Sequence, residues 1–474
     1  MEPKQARPRK NEEHEVVLGP IAEAGRTVTK IGGFVVFVRG GVPGDRVRIR
    51  LHRARRNHGE AHVVELLEPS TDRVPERCEH FGVCGGCSFQ NLGYEAQLEG
   101  KRRLVADALA RIGGLEGVET APCVPSPDLW EYRNKMEFSF ARRRWLLPAE
   151  LEAGVDGERG AAVGLHVPRV FDKVIEVGTC HLQSKAMSEM LALTREIAAA
   201  SDLPAYDTRD RKGFWRFLVL RRGRNTGKMM ANLVTAWSEP KLATVWAKSM
   251  IERFPEVTTL INGIAPRPAS AVILDEIHLL HGEGTITERL GDLEFEISPS
   301  SFFQPNTAAA EKLYELVADE AGDLEGKIVF DLYCGTGAIA LYLARRAGKV
   351  VGLELVESAI ENARKNALRN RIAGPAFTAG DVRGTLANAA RRHGRPDVVI
   401  LDPPRAGNHP KLVRELVELA PAKIVHVSCN PATLARDLAA FADGGYTIGT
   451  AHPIDLFPHT PHTETVVGLD HSGQ

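Results

Sequence analysis

The stretch KIVFDLYCGTG, residues 327–337, decides the fold. An apolar run of strand length ends in an acid and then in a glycine turn that opens a helical pattern. Open α/β sheets bind nucleotide-like ligands at such junctions. The turn holds only Gly335 and Gly337, and Asp331 precedes them. This departs from the dinucleotide fingerprint and suits S-adenosylmethionine, whose amino-acid part takes a carboxylate partner and needs no pyrophosphate cradle. Outward from this stretch the α/β period persists. KVVGLE (349–354), AFTAGD (376–381), DVVILD (397–402) and KIVHVSC (423–429) are further strand patterns interleaved with helical ones. The alternation predicts a largely parallel, doubly wound sheet. YTIGT (446–450) and TETVVGL (463–469) are expected to finish it as an antiparallel pair.

Chemistry-bearing residues fall at the carboxyl ends of these strands. Glu354 is placed to accept both ribose hydroxyls of a bound nucleoside, and Asp381 to reach its adenine amino group. Asp402 opens DPPR (402–405), where two prolines stiffen the turn and hold the acid at the sheet edge as an acceptor for a target base. Cys429 ends its strand before Asn-Pro, a nucleophile position, and Glu464 offers a base. The bland alternatives are helix caps for the acids and a core thiol for Cys429.

The rest of the chain has a different texture. Short β-rich runs separated by Gly and Pro turns between about residues 15 and 67 predict a small barrel, after a polar N-terminal stretch. Three cysteines, Cys78, Cys84 and Cys87, follow closely, and then a helix pattern from Tyr94 to about Ile112. A β-rich α+β region comes next. Within it RRGRNTG (221–227) reads as an exposed hairpin tip reaching for RNA.

The chain has 474 residues, enough for several cores, with 43% hydrophobic and 26% charged residues. No signal peptide and no bilayer-length apolar run is present, so a soluble cytoplasmic protein is expected. The formal net charge is only -1, yet the basic residues cluster at Arg46, Arg48, Arg50, Arg53, Arg55 and Arg56, at Arg142 to Arg144, and at Arg216, Arg221, Arg222 and Arg224. Such stripes suit phosphate contacts, or else are ordinary solvated faces. Seven cysteines, an odd number, point to a reducing compartment rather than a disulfide framework. The dense trio reads as metal ligands, and spacing alone leaves zinc and iron open, with His80 and His181 as alternative donors.

Taken together, the barrel, C78-x5-C84-G-G-C87-S-F-Q90, FQPN (303–306), DLYCGTG (331–337), DPPR (402–405), SCNP (428–431) and HTE (462–464) resemble the bacterial RNA uracil-5-methyltransferase family. The likeness is to its 23S ribosomal RNA branch, with a TRAM barrel and a four-iron cluster. It covers nearly the whole chain. The resemblance implies a TRAM β-barrel over 14–70, a central RNA-binding domain with the cluster over 71–290, and a Rossmann-like methyltransferase domain with a mostly parallel seven-stranded sheet over 291–474. It makes Cys429 the nucleophile, Glu464 the base and Asp402 the acid near the uracil. Gln304, Tyr333, Glu354 and Asp381, with Gly335 and Gly337, would surround S-adenosylmethionine, and Phe303 would shape the pocket. Cys78, Cys84, Cys87 and Cys180 would hold a [4Fe-4S] cluster, while Cys123 and Cys334 get no role. The implied partner is 23S rRNA with a flipped uridine, bound by a monomer away from any membrane. The rival readings are the same chemistry on tRNA, a cytosine-5-methyltransferase, and an RNA-binding protein that lost catalysis.

Overall fold

A computed structural model of the chain describes residues 7–155, 159–168, 170, 172–268 and 272–473. The first six residues of the polar N-terminal stretch lie outside them. Three larger sheets follow one another along the chain.

The first is six-stranded, in the order Glu13–Val17, Arg46–Ala54, His58–Glu68, Phe34–Arg39, Arg26–Ile31, Ile21–Ala22. It curls around Leu18, Val36, Val38, Val47, Ile49, Leu51 and Ala61. Among the described residues its two edge strands are not paired with each other, so the sheet is a half-barrel where closure was expected. Its arginines follow the solvated-face alternative of the sequence reading. Arg46 pairs with Glu15 and Glu68, Arg48 with Glu15 and Glu65, and Arg50 with Glu13. Alternation along Arg46–Ala54 puts these side chains on one face, opposite the glutamates of the neighbouring strands. The stripe is a cross-strand ion-pair ladder.

The central sheet has seven strands, ordered Glu276–His281, Val257–Ile264, Met229–Thr235, Trp215–Arg222, Lys135–Arg143, Arg159–His166, Val174–Ile175. Helices Lys185–Ala199 and Pro240–Arg253 cover it through Met187, Met190, Leu191, Trp246 and Met250. The turn read as a hairpin tip is docked inward. Arg221 is 3% exposed and donates to the carbonyls of Pro299 and Ser301 at 3.2 and 2.6 Å. Arg224 is paired with Asp128, and the Arg224 and Asn225 amides donate to Glu288. These cations join two parts of the protein, and Arg142, Arg144 and Arg216 are likewise engaged by carboxylates or carbonyls.

The four-iron expectation is corrected here. Cys78, Cys84, Cys87 and Cys180 line one cavity, but among the described residues no group of three or more His, Cys, Asp or Glu side chains is arranged to hold a metal ion. Burial, reinforced by the neighbouring thiols, pushes Cys84 up to about 11 and Cys87 to about 12. The chain is therefore not assigned to a [4Fe-4S] branch.

The last sheet has the expected mostly parallel, seven-stranded form. Its order is Ala376–Ala379, Lys349–Glu354, Ile328–Leu332, Val398–Leu401, Lys423–Ser428, Glu464–His471, Tyr446–Ile454, the first five parallel and the last two antiparallel. The central strands read VFDL, VVIL and IVHVS because helices cover both faces. Cys334 packs there. A Cβ on Gly352 would come within 2.8 Å of its sulfur. Among the described residues no helix is long and apolar enough to cross a membrane.

Candidate active site

The register of the last sheet brings the predicted catalytic residues to one end. Ser428 pairs with Thr465, so Cys429 and Glu464 are neighbours just past the paired positions of adjacent antiparallel strands. Leu401 pairs with His426, which sets Asp402 beside the same strand end. The SCNP sequence holds this corner locally. Asn430 caps helix Pro431–Asp443 by accepting from the Ala432 amide at 3.1 Å, and its Nδ2 donates to the Arg405 carbonyl at 3.0 Å. The turn bearing Asp402 is thus tied to the turn bearing Cys429.

Electrostatics show how closely these groups sit. Burial pushes the Cys429 thiol up to about 11, Glu464 and Asp402 push the same way, and Arg405 opposes them. Glu464 is 6% exposed, and burial with the nearby Asp402 raises it well above the usual carboxylate range, while Arg405 pulls the other way. Asp402 is raised by burial to about 6, with His426 pulling downward. His462 is pushed down to about 4 by burial and by Arg405, Lys101 and Arg133, and is a neutral imidazole. Arg405 is the cation common to Cys429, Glu464 and His462, a residue the sequence reading quoted without giving it a role.

A small cavity of about 50 Å³ beside this corner is lined by Gln304, Asp331, Tyr333, Gly335 and Asp402 among others. Asp331 is 1% exposed, among the described residues neither carboxylate oxygen has a well-formed hydrogen bond, and burial raises it well above the usual carboxylate range, a deficit that a ligand ammonium would fill. Gly335 has φ 53°, and a Cβ built on it meets nothing within 4 Å, leaving open space beside the backbone. Its amide donates to Glu354 at 3.2 Å. Gly337, at φ 81°, holds the left-handed backbone that favours glycine, and a Cβ there would lie 3.0 Å from that of Ala363. Tyr333 holds φ 66°, unusual for a non-glycine residue. Asp381 caps helix Val382–His393 and pairs with Arg383, which pulls it down to about 2. Its cap role coexists with its place at the strand end. The donor set fits S-adenosylmethionine.

A second, larger cavity of about 1010 Å³ adjoins the first. Phe302 and Phe303 line both, and His462, Arg133 and Lys135 face the larger one. Phe302 is 70% exposed at this junction. Sequence reasoning missed the supports. Asn306, fully buried, accepts from the Ala309 amide and donates to Ser126 Oγ and the Leu456 carbonyl. Asn134 donates to the Gln304 carbonyl at 2.8 Å. The FQPN motif carried the only signal for either.

The tRNA (Uracil-5-)-methyltransferase family profile matches residues 267–378, a methyltransferase domain profile 323–441, and the TRAM domain profile 10–64. An uncharacterized RNA methyltransferase of Chlorobaculum tepidum is 38% identical over 98% of both chains. Another, of Porphyromonas gingivalis, is 40% identical over 95% of this chain and 98% of its own. Among solved structures, the tRNA (uracil-54, C5)-methyltransferase of Pyrococcus abyssi with S-adenosyl-L-homocysteine is 29% identical, with TM-score 0.72, covering 96% of this chain and 100% of that one.

Proposed function

The chain belongs to the S-adenosylmethionine-dependent RNA (uracil-5-)-methyltransferase family, and from this premise we propose that it methylates carbon 5 of a tRNA uridine through a covalent bond between Cys429 and carbon 6. The observation that carries the mechanism is the convergence of Cys429, Glu464 and Asp402 at one strand end beside the cavity of Asp331 and Gly335.

Carbon 5 of uracil is a weak nucleophile. Addition of the Cys429 thiolate to carbon 6 moves the ring electrons toward the O4 carbonyl and makes carbon 5 enolate-like. S-adenosylmethionine, when bound, supplies a methyl group on a sulfonium. The Asp331 carboxylate would hold its ammonium, Glu354 its ribose hydroxyls, and Gln304, Tyr333 and Asp381 the remainder of the molecule. Asp402 accepts a hydrogen bond from the ring and orients it. Glu464 takes the carbon 5 proton, the electrons of that bond reform the C5–C6 double bond, and the Cys429 sulfur leaves carbon 6. Arg405 favours the ionised form of Glu464 that this step uses.

The tRNA reading is supported by the full-length likeness to a tRNA enzyme. The 23S rRNA expectation rested on the barrel and the cysteine segment, and it loses the second of these supports with the cluster. Labelled S-adenosylmethionine offered to tRNA and to 23S rRNA fragments separates the two. Label on tRNA uridine is expected; label on 23S rRNA alone overturns the substrate, and label surviving Cys429→Ala overturns the mechanism.

A further inference from the structure

Behind the strand ends lies a buried polar cluster of which only Tyr333 enters the steps above. Tyr333 Oη donates to Asn408 Oδ1 at 3.3 Å. Asn408 Nδ2 lies 3.0 Å from His426 Nε2 and 3.1 Å from Asp437 Oδ2, and the Asn408 amide donates to that same oxygen at 2.7 Å. Arg436 Nη2 bonds the other Asp437 oxygen at 2.6 Å and the Asn408 carbonyl at 3.1 Å. Asn408, His426 and Asp437 are each 2% exposed or less.

The members come from four separate places: the glycine loop after Ile328–Leu332, the turn after Val398–Leu401, the catalytic strand Lys423–Ser428, and helix Pro431–Asp443. His426 Nδ1 lies 2.9 Å from the Val427 carbonyl, and its Nε2 faces both Asn408 Nδ2 at 3.0 Å and Asp437 Oδ2 at 3.5 Å. Asn408 is engaged at both ends of its side chain, its carbonyl by Tyr333 and its amide nitrogen by His426 and Asp437. The turn is pressed onto the cluster. Gly407 has φ 76°, and a Cβ on it would lie 2.8 Å from Thr433 Cβ and 3.0 Å from Asp437 Oδ2. Apolar side chains could fill such a space without burying charge. A satisfied polar cluster instead fixes one arrangement of its members.

We propose that Asn408 is a positioning residue that locks the cofactor loop, through Tyr333, to the Asp402–Arg405 turn and the Cys429 strand, so that the methyl donor and the target base are held in one register. The inference rests on the methyltransferase reading. Asn408 lines neither cavity, so its influence on ligand passes through Tyr333 and the turn.

The test is a double-mutant cycle on the full chain with Tyr333→Phe and Asn408→Ala, read by the Kd of S-adenosylhomocysteine and by KM and kcat on a tRNA transcript. Each single change is expected to weaken S-adenosylhomocysteine binding roughly three- to tenfold, the worth of one hydrogen bond. The double variant should be no weaker than the worse single one. Tyr333→Phe should leave Tm close to wild type, and it carries the test if Asn408→Ala folds poorly. Unchanged Kd in Tyr333→Phe, or multiplicative losses in the double variant, overturns the proposal. Wild-type protein that binds S-adenosylhomocysteine but leaves uridine unmethylated would instead overturn the functional reading.

Discussion

Lys101 Nζ lies 2.5 Å from Asp455 Oδ1 with both side chains almost wholly buried. Tyr94 Oη donates to the other Asp455 oxygen at 3.0 Å, and Lys101 also donates to the Phe457 carbonyl at 3.1 Å. The pair pins helix Tyr94–Arg111 to the segment that leads into Glu464. Removing one partner strands a buried charge, at a cost of about 3–5 kcal/mol. Lys101→Met should therefore lower the denaturant midpoint sharply, and Lys101→Met with Asp455→Leu should recover much of the loss. A single variant within about 1 kcal/mol of wild type would contradict the buried pairing.

Glu464→Gln should stall the reaction after methyl transfer, with the RNA still bonded to Cys429. A band of protein-linked RNA that survives denaturing electrophoresis is the expected result, with turnover reduced by roughly 10²–10⁴. Cys429→Ala should give no band. Adduct that breaks down at the wild-type rate in Glu464→Gln would assign the base elsewhere.

The pH dependence has a defined sign. Asp402 rises from its ordinary 3.8 to about 6 in the folded protein, so the native state holds its proton more tightly than the unfolded chain does. Its contribution is full below the unfolded value and is lost as pH climbs through about 6. The full shift corresponds to no more than roughly 3 kcal/mol. Asp402→Asn should flatten stability between pH about 4 and about 6, and be more stable than wild type at pH about 8. Thermal melts across this range decide it, and parallel pH profiles for the two proteins would refute it. Activity should rise on the alkaline side, since Cys429 and Glu464 both react in forms that burial disfavours.

The arginine ladder on Arg46–Ala54 should contribute little to RNA affinity. If Arg46 and Arg48 do not neutralise phosphates, replacing both with alanine leaves the slope of log Kd against log salt unchanged. A slope reduced by about 2 would restore the phosphate-contact reading.

The last sheet was legible because its signals are local. Strand-length apolar runs alternate with helical periods, and turn residues such as Gly337 and Asn430 mark the junctions. The corner of Cys429, Glu464 and Asp402 was legible for the same reason, since strand ends are readable positions. The arginines left two readings open because charge in a sequence carries no information about what lies opposite. Glu13, Glu15, Glu65 and Glu68 become partners only through strand pairing, and Pro299 and Ser301 receive Arg221 only through tertiary packing. The cysteines failed likewise, because nearness in sequence does not set the geometry of a ligand set. Asn408 and Asp437 were invisible, each being an ordinary polar residue until four elements meet.

Strand Glu464–His471 lies between Lys423–Ser428 and Tyr446–Ile454 in the sheet, although it follows both in the chain. During synthesis the gap beside the catalytic strand stays open until this segment emerges. A nascent chain lacking it can possess the glycine loop and the thiol and still have no proton acceptor at carbon 5. Under the proposed chemistry, such an unfinished product could capture a uridine without being able to release it. Release of the product is thus the last capability that the growing chain acquires.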